Sequence, residues 1–321
     1  MQKKRFFFAG RLMRVCGAAG ILFFVHTGGT LAQVRPVDLN VSMDYIPASR
    51  YIRPEDSVKT NATTTQARLN MGLSLLLSNQ IDTVTGSVRT WTAYVGGSYT
   101  SLFNKDYDKK IYPSGLLTVD LGVQHYRSLR NQWGVVSFLS AGLYTDMEKI
   151  TTNALFISGG AIFMKHFTRT FTFGFGATVT NSFGVPIIWP ALYVQWQPEN
   201  DRFRININVP DKGPGMAFRV GATYLINKQT DLTLAFKPRM QPYDVSYRTD
   251  DKRLVSFWQL PIGLENTWHV KKFDFSVEGG LMMLRSFAFT EKNISKMFSD
   301  NPGHKLSTNA YISAGIHYRF R

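Results

Sequence analysis

From Arg202 to Val209 the chain alternates: Phe203, Ile205, Ile207 and Val209 interleave with Arg202, Arg204, Asn206 and Asn208. A period of two places each set on its own face of a β-strand. The pattern recurs where Leu117, Val119, Leu121 and Val123 oppose Thr118, Asp120, Gly122 and Gln124, and again through Met216 to Tyr224 and Asp231 to Lys237. Fourteen strands are predicted: 37–46, 66–77, 88–102, 115–127, 132–145, 153–166, 170–182, 187–197, 202–209, 215–226, 230–242, 253–268, 272–289 and 307–320. Twelve or sixteen also fit, because 37–46 is short and boundaries read this way are good to a few residues. If Glu199 and Asn200 form a two-residue turn, Trp196 faces Phe203, Gln195 faces Arg204 and Val194 faces Ile205, apolar on apolar and polar on polar. Ala154 to Met164 is apolar on both parities and does not reveal its faces.

Alternation alone does not choose the solvent, but length does. Many of these segments run about 9 to 14 residues, as tilted membrane strands do, whereas globular strands are nearer 5 or 6. Their polar faces are rich in Gly, Ser and Thr, and Trp133, Trp196, Trp258, Trp268, Tyr318 and Phe320 gather near strand ends, where an interfacial girdle belongs. Short connections near Arg130, Thr168-Arg169, Glu199-Asn200, Asn227-Lys228 and Lys271 alternate with longer ones near 103–114, 146–152, 243–252 and 290–306. The expectation is an all-β, antiparallel transmembrane barrel with short periplasmic turns, longer external loops and both termini periplasmic.

Residues 1–32 read as a cleaved secretory signal. Lys3, Lys4, Arg5, Arg11 and Arg14 form a basic n-region, Val15 to Val25 is uncharged and apolar, and Thr30-Leu31-Ala32 offers small residues for cleavage after Ala32. The apolar run is about half the ~20 residues that a spanning helix needs. Arg14 and Val15 make Cys16, the single cysteine, a poor lipoprotein site. The whole chain carries 37 basic and 22 acidic residues over 321 positions. Losing the leader leaves 32 basic against 22 acidic residues over 289 positions, a charge of +10. With 14% aromatic and 18% charged residues, the chain can bury enough apolar surface to order itself. Residues 33–321 are expected to be one barrel domain.

The last strand puts Ala310, Ile312, Ala314, Ile316, Tyr318 and Phe320 on one face and Asn309, Tyr311, Ser313, Gly315, His317 and Arg319 on the other. Within it Ser313, Gly315, Tyr318 and Phe320 resemble the C-terminal recognition signal of outer-membrane proteins, although the chain ends on Arg321. That resemblance implies delivery to the barrel assembly machinery by pairing with an exposed strand edge. A second one spans nearly all of 33–321. Gly184-x-Pro186-x-x-x-Pro190, Trp196-x-Pro198 and Ile207-x-Val209-Pro210 look like the central motif of a domain of unknown function, a family of predicted outer-membrane β-barrels of Gram-negative bacteria. It implies a barrel in the cell outer membrane among its lipids, and transfers no site residues. Pro190 itself has no ladder donor and should mark a bulge or a kink at a strand's edge.

Catalytic and cofactor chemistry is thinly represented. His125, His166, His269, His304 and His317 are not at metal-ligand spacing and have no cysteine partner, and there is no HExxH or GxxxxGK[ST]. No catalytic residue, metal or cofactor is therefore assigned. Ser128 follows His125, but Leu129 and Arg130 already read as turn and no nucleophile elbow surrounds that Ser. Lys and Arg are dispersed without a helix or an aromatic platform, which argues against nucleic acid. What remains is an ionic lumen. Arg68, Asp120, Arg204, Arg219, Lys237, Arg239, Glu265, Asp274, Glu278 and Arg319 share the polar parity, six bases to four acids. Glu265, Asp274 and Glu278 fall on one face of a hairpin, with Thr267 opposite Asp274 if the turn centres on Val270-Lys271. They could form a general acid and base set, or be neutralised by Lys237, Arg239 and Arg319. The expectation is a non-enzymatic, porin-like channel, passive or weakly selective for small solutes. Alternatives are a scaffold or envelope-complex subunit plugged by side chains such as Tyr311 and Tyr144, and an envelope lipid or glycan enzyme.

Overall fold

The computed structural model describes residues 35–198, 202–210, 215–247, 254–290 and 303–320. The leader 1–32 and its cleavage position lie outside the described residues, as does Arg321. Fourteen strands follow one another around the sheet: β1 Arg35–Ile52, β2 Lys59–Ile81, β3 Val88–Lys105, β4 Gly115–Ser128, β5 Trp133–Thr145, β6 Leu155–His166, β7 Phe171–Thr180, β8 Ile187–Trp196 and β9 Phe203–Val209. Three later ones are interrupted: β10 is Met216–Ala217 with Arg219–Asn227, β11 is Thr230–Phe236 with Arg239–Asp244, and β14 is His304–Leu306 with Asn309–Arg319. Between the last two stand β12 Leu254–Val270 and β13 Phe273–Thr290. Neighbours pair antiparallel, and β1 meets β14 from Asp38↔Arg319 to Tyr45↔Ile312. The sheet is thus a closed 14-strand barrel.

The alternation sorts its two surfaces. Val95, Leu121, Leu139, Phe163, Phe175, Leu234 and Ile312 lie exposed on the outside, forming an apolar belt. Inward positions carry hydroxyls because a residue pointing into a walled lumen must find its polar partner there. They find it across the ladder: Ser98 to Thr118 at 2.9 Å, Ser140 to Ser158 at 2.7 Å and Thr223 to Thr233 at 2.9 Å. Trp133, Trp196, Trp268, Tyr318 and Phe320 take outward parities at the end bearing the short turns, whereas Trp258 belongs to the loop half of β12. Ala154 closes a 3₁₀ turn, Thr152–Ala154, ahead of β6. Within β6 the exposed faces of Ile157 and Phe163 settle which parity is outward.

Two expected registers are corrected. Trp196 pairs with Ile205 rather than Phe203, and Gln195 with Asn206 rather than Arg204, a slip of two residues that preserves both faces. The two-residue turn at Glu199-Asn200 would have put Pro198 on the ladder, where it has no N–H to donate. β8 instead stops at Trp196. Likewise Asp274 faces His269 while Thr267 faces Ser276, because the β12–β13 turn centres on Lys271-Lys272, with Lys271 in the left-handed region at φ 55°. β1 is longer than expected, 18 residues, and its upper part holds the loop end of the barrel together with β2 and β14.

The face assignment is testable at β9, where Ile207 pairs with Val194 and Val220. Ile207→Arg puts a charge on the apolar belt and is expected to cost roughly 2–4 kcal/mol, depending on its depth. Asn206→Arg, on the lumen face, should cost much less. Denaturant unfolding of the two variants in detergent checks this, and equal costs would refute the assignment.

Candidate functional site: a charged chamber beneath an aromatic plug

The lumen changes character halfway along. At the loop end the segment 106–114 between β3 and β4 folds inward and meets aromatic residues from distant strands. Tyr112 is 2% exposed, its ring 4.6 Å from Phe287, which stacks on Phe257 at 4.1 Å. Tyr107 packs 5.5 Å from Tyr51 and shares a 2.8 Å hydrogen bond with Thr64 Oγ1. The backbone of the loop is tied down as well. Asn104 Nδ2 donates to the Pro113 carbonyl at 3.1 Å, and the Tyr247 hydroxyl donates to the Ile111 carbonyl at 2.9 Å. Lys110 bonds Glu148 across to the next loop, and that hydrogen bond holds the Glu148 carboxyl below its usual range.

A second clasp joins β5 directly to β11. Asp244 pairs with Thr145, Thr151 Oγ1 donates to Asp244 Oδ2 at 2.7 Å, and the Ser246 N–H donates to Asp146 Oδ2 at 2.8 Å. Tyr144 and Tyr243 face each other at 5.8 Å beneath it. Together with Leu102, Leu116, Phe156, Val255 and Leu306 these side chains form a packed apolar core inside the mouth. Stacked and edge-on aromatic pairs of this kind add to the stabilisation that burial provides.

Under the plug lies a polar layer. Gln66 Oε1 accepts from Gln259 Nε2 at 3.1 Å and from Arg285 Nη1 at 3.4 Å, and the Tyr144 hydroxyl donates to Asp120 at 2.7 Å. Below it opens a cavity of about 400 Å³ whose lining includes Asp44, Arg219, Lys237, Arg239, Glu265, Glu278, Tyr311 and Ser313. Glu265 and Glu278 are direct ladder partners, so two carboxylates face each other. Lys237 continues the inward parity of Asp231 and Thr233 and sits between the two carboxylates, 3.0 Å from Glu265 and 2.8 Å from Glu278. Tyr311 adds a 2.6 Å hydrogen bond to Glu278 Oε1. Gly263 is required here: a Cβ at that position would come 2.3 Å from the Tyr311 hydroxyl.

The ten expected lumen residues all take inward positions, but not as one cluster. Lys237, Glu265, Glu278, Arg219 and Arg239 share the chamber, with Arg219 3.5 Å from Glu265 and Arg239 3.4 Å from Asp44. Arg68 and Asp120 lie higher. Arg204 is at the turn-end rim, donating to Gln197 at 3.4 Å. Asp274 and Arg319 bond one another near the turns, where His269 reaches Asp274 at 2.7 Å and Asp231 at 3.1 Å, and His317 reaches Asp274 at 3.2 Å. Among the described residues no group of three or more His, Cys, Asp or Glu is placed to hold a metal ion.

The structure also adds charges that the sequence reading omitted. Asp38, Asp44 and Asp231 join the acids and Arg285 joins the bases, which removes the positive surplus expected along the wall. Asp44 could have been found, since it continues the parity of Asn40 and Ser42. The terminal motif is in place: Ser313 Oγ donates to Asp44 at 2.8 Å, Gly315 lies against Ser276, and Tyr318 and Phe320 are 4.7 Å apart on the outside. In the proline motif Gly184 takes φ 80° in the β7–β8 loop. Pro190 pairs with Ala177 of β7 but lies beyond Leu192↔Val209, the last β8–β9 partners among the described residues, so its missing donor interrupts none of their ladder bonds.

Replacing Lys237 is expected to expose the cost of the facing carboxylates. Lys237→Met should destabilise the folded barrel by about 2 kcal/mol, less than a fully buried pair would because the chamber admits water. Adding Glu278→Gln should restore most of the loss. Heat-dependent gel migration with denaturant titration reads both, and an unrescued double variant would contradict the pairing.

The family model of the domain of unknown function DUF6268 matches residues 28–319. No curated protein matches the chain. Solved structures similar to it include the COG4313 outer membrane channel from Pseudomonas putida F1, at 11% identity, 92% of this chain, 100% of that chain and a TM-score of 0.43. The TodX monoaromatic hydrocarbon channel in its deltaS2S3 mutant form shares 9% identity over 88% of this chain and 90% of its own, with a TM-score of 0.44. LpxR from Salmonella typhimurium shares 10% identity over 88% and 100%, with a TM-score of 0.32. At these values the role of this chain has to be read from its own residues.

Proposed function

The chain belongs to the DUF6268 family, and we propose that it is an outer-membrane channel for small polar solutes whose resting state is shut by its own aromatic plug. The chamber beneath the plug carries this reading, because a lumen used only as a structural strut has no need of a water-accessible, charged cavity of about 400 Å³. The turns and both termini are read as periplasmic, so solutes enter the chamber from that side. Opening then requires 106–114 to leave Tyr51 and Phe287. With acids and bases nearly balanced along the wall, only mild ion selectivity is expected. The packing of the plug favours one alternative, a non-conducting scaffold. An enzyme acting on lipid or glycan finds less support, since Lys237, Tyr311 and Arg219 already engage the facing carboxylates.

Planar-bilayer recordings separate these readings. Wild-type protein should show little steady conductance, and Tyr107→Ala with Tyr112→Ala should raise it several-fold. In the opened variant, replacing Lys237 and Arg239 by Gln should shift the reversal potential towards cations. Steady wild-type conductance would contradict the shut resting state, and silence of the folded double variant would favour the scaffold.

Delivery by the barrel assembly machinery is supported by the outward Tyr318 and Phe320 on the closing strand. Phe320→Asp is expected to leave unfolded protein in the periplasm, read as loss of the heat-shifted band. Normal surface levels of that variant would remove the signal.

A further inference from the structure

At the turn end of β2, β3 and β4, the outer wall interrupts its apolar belt with two arginines. Arg89 and Arg127 are ladder partners, and both point away from the lumen, on the parity of the exposed Val95, Leu121 and Val123. One step further along the same face Trp91 is the partner of His125, and their rings stack at 4.4 Å. A bulge between Leu76 and Ser78 resets the parity of β2, so that Ser78 and Gln80 come to face Trp91 and Arg89. These six side chains line an outward pocket of about 260 Å³.

The charge in that pocket is only partly offset. Like charges directly across a ladder destabilise it, and neither arginine forms an ion pair among the described residues. Asp82, in the adjoining turn, lies within electrostatic reach of Arg89 but gives its oxygens to the Val84 and Thr85 N–H groups and to Thr85 Oγ1. Two guanidinium groups side by side match the oxygens of a phosphate, to which each can donate in pairs. Trp91 belongs at the level of lipid head groups. From the pocket an apolar track runs towards the middle of the belt along Ala93, Val123, Val95 and Leu121, a path for a hydrocarbon chain rather than for a free ion.

We propose that this pocket seats the phosphate of an anionic glycerophospholipid, held by Arg89 and Arg127 with Trp91 and His125 beneath the head group. The proposal rests on the membrane reading above, and places the lipid in the leaflet on the side of the turns. An anion between the two arginines also removes their mutual repulsion, so the lipid would fasten the β3–β4 hairpin.

Native mass spectrometry of the full-length barrel, released from detergent with dioleoylphosphatidylglycerol or dioleoylphosphatidylcholine, tests it. Wild-type protein should retain the anionic lipid in preference. Arg89→Gln with Arg127→Gln should weaken retention roughly tenfold or more, while Arg169→Gln with Lys228→Gln, bases elsewhere on the same rim, should leave it unchanged. If the paired variant loses its heat-dependent gel migration, Arg127→Gln alone carries the test with a smaller loss. Equal retention by wild type and variant, equal retention of the two lipids, or displacement by millimolar inorganic phosphate would each overturn the lipid site. Recovery of the native protein as a soluble monomer without detergent would instead overturn the membrane reading on which it stands.

Discussion

Closure of one ladder governs the rest of this structure. Until Asp38 to Tyr45 pair with Ile312 to Arg319, β1 and β14 each present a row of unpaired N–H and C=O groups, which an apolar surrounding cannot satisfy. Once they pair, the sheet has no edge along that seam, and every inward side chain belongs to a single enclosed space. The seam also brings the first and last strands into contact chemically: Ser313 reaches Asp44, and His317 lies 3.6 Å from Asp38.

Enclosure makes the inward charges interdependent. Glu265 and Glu278 would repel across their rung, and Lys237, inward by the same alternation as Asp231 and Thr233, is held between them. Arg239 bridges Gln259, at 2.6 Å, to Asp44 of β1 beyond the closing seam. Such a network ties β1, β11, β12, β13 and β14 together at chamber level. The aromatic plug does the same at the loop end with apolar contacts, where β1, β3, β5, β11 and β13 converge. Between the two levels, buried Gln66, Gln259 and Arg285 form the boundary between a wet chamber and a dry mouth.

The outer surface obeys a different rule. Its apolar belt faces hydrocarbon in the proposed setting, so charges are confined to the rims, where Arg89 and Arg127 stand beside Trp91. The bulge in β2 serves this division: it swings Ser78 and Gln80 outward just where the belt gives way to polar surroundings.

The sequence by itself determined the strands and their faces. Period-two alternation names the inward side of most segments without reference to any partner, and the ten candidate lumen residues accordingly point inward, whereas Ala154 to Met164, apolar on both parities, has its faces decided by the fold. It also located the hairpins, since turn residues are local signals. Registers were less legible: a slip of two residues keeps both faces and costs the pattern nothing, so the donor missing at Pro198 and the left-handed Lys271 decided them. The tertiary structure alone decided which charges meet and whether the lumen is open. Tyr107, Ile111 and Tyr112 lie in an aperiodic loop, and their burial depends on Tyr51 and Phe287, far away along the chain. Only closure of the barrel brings those rings together, because burial is a property of the enclosed volume and not of any segment that lines it.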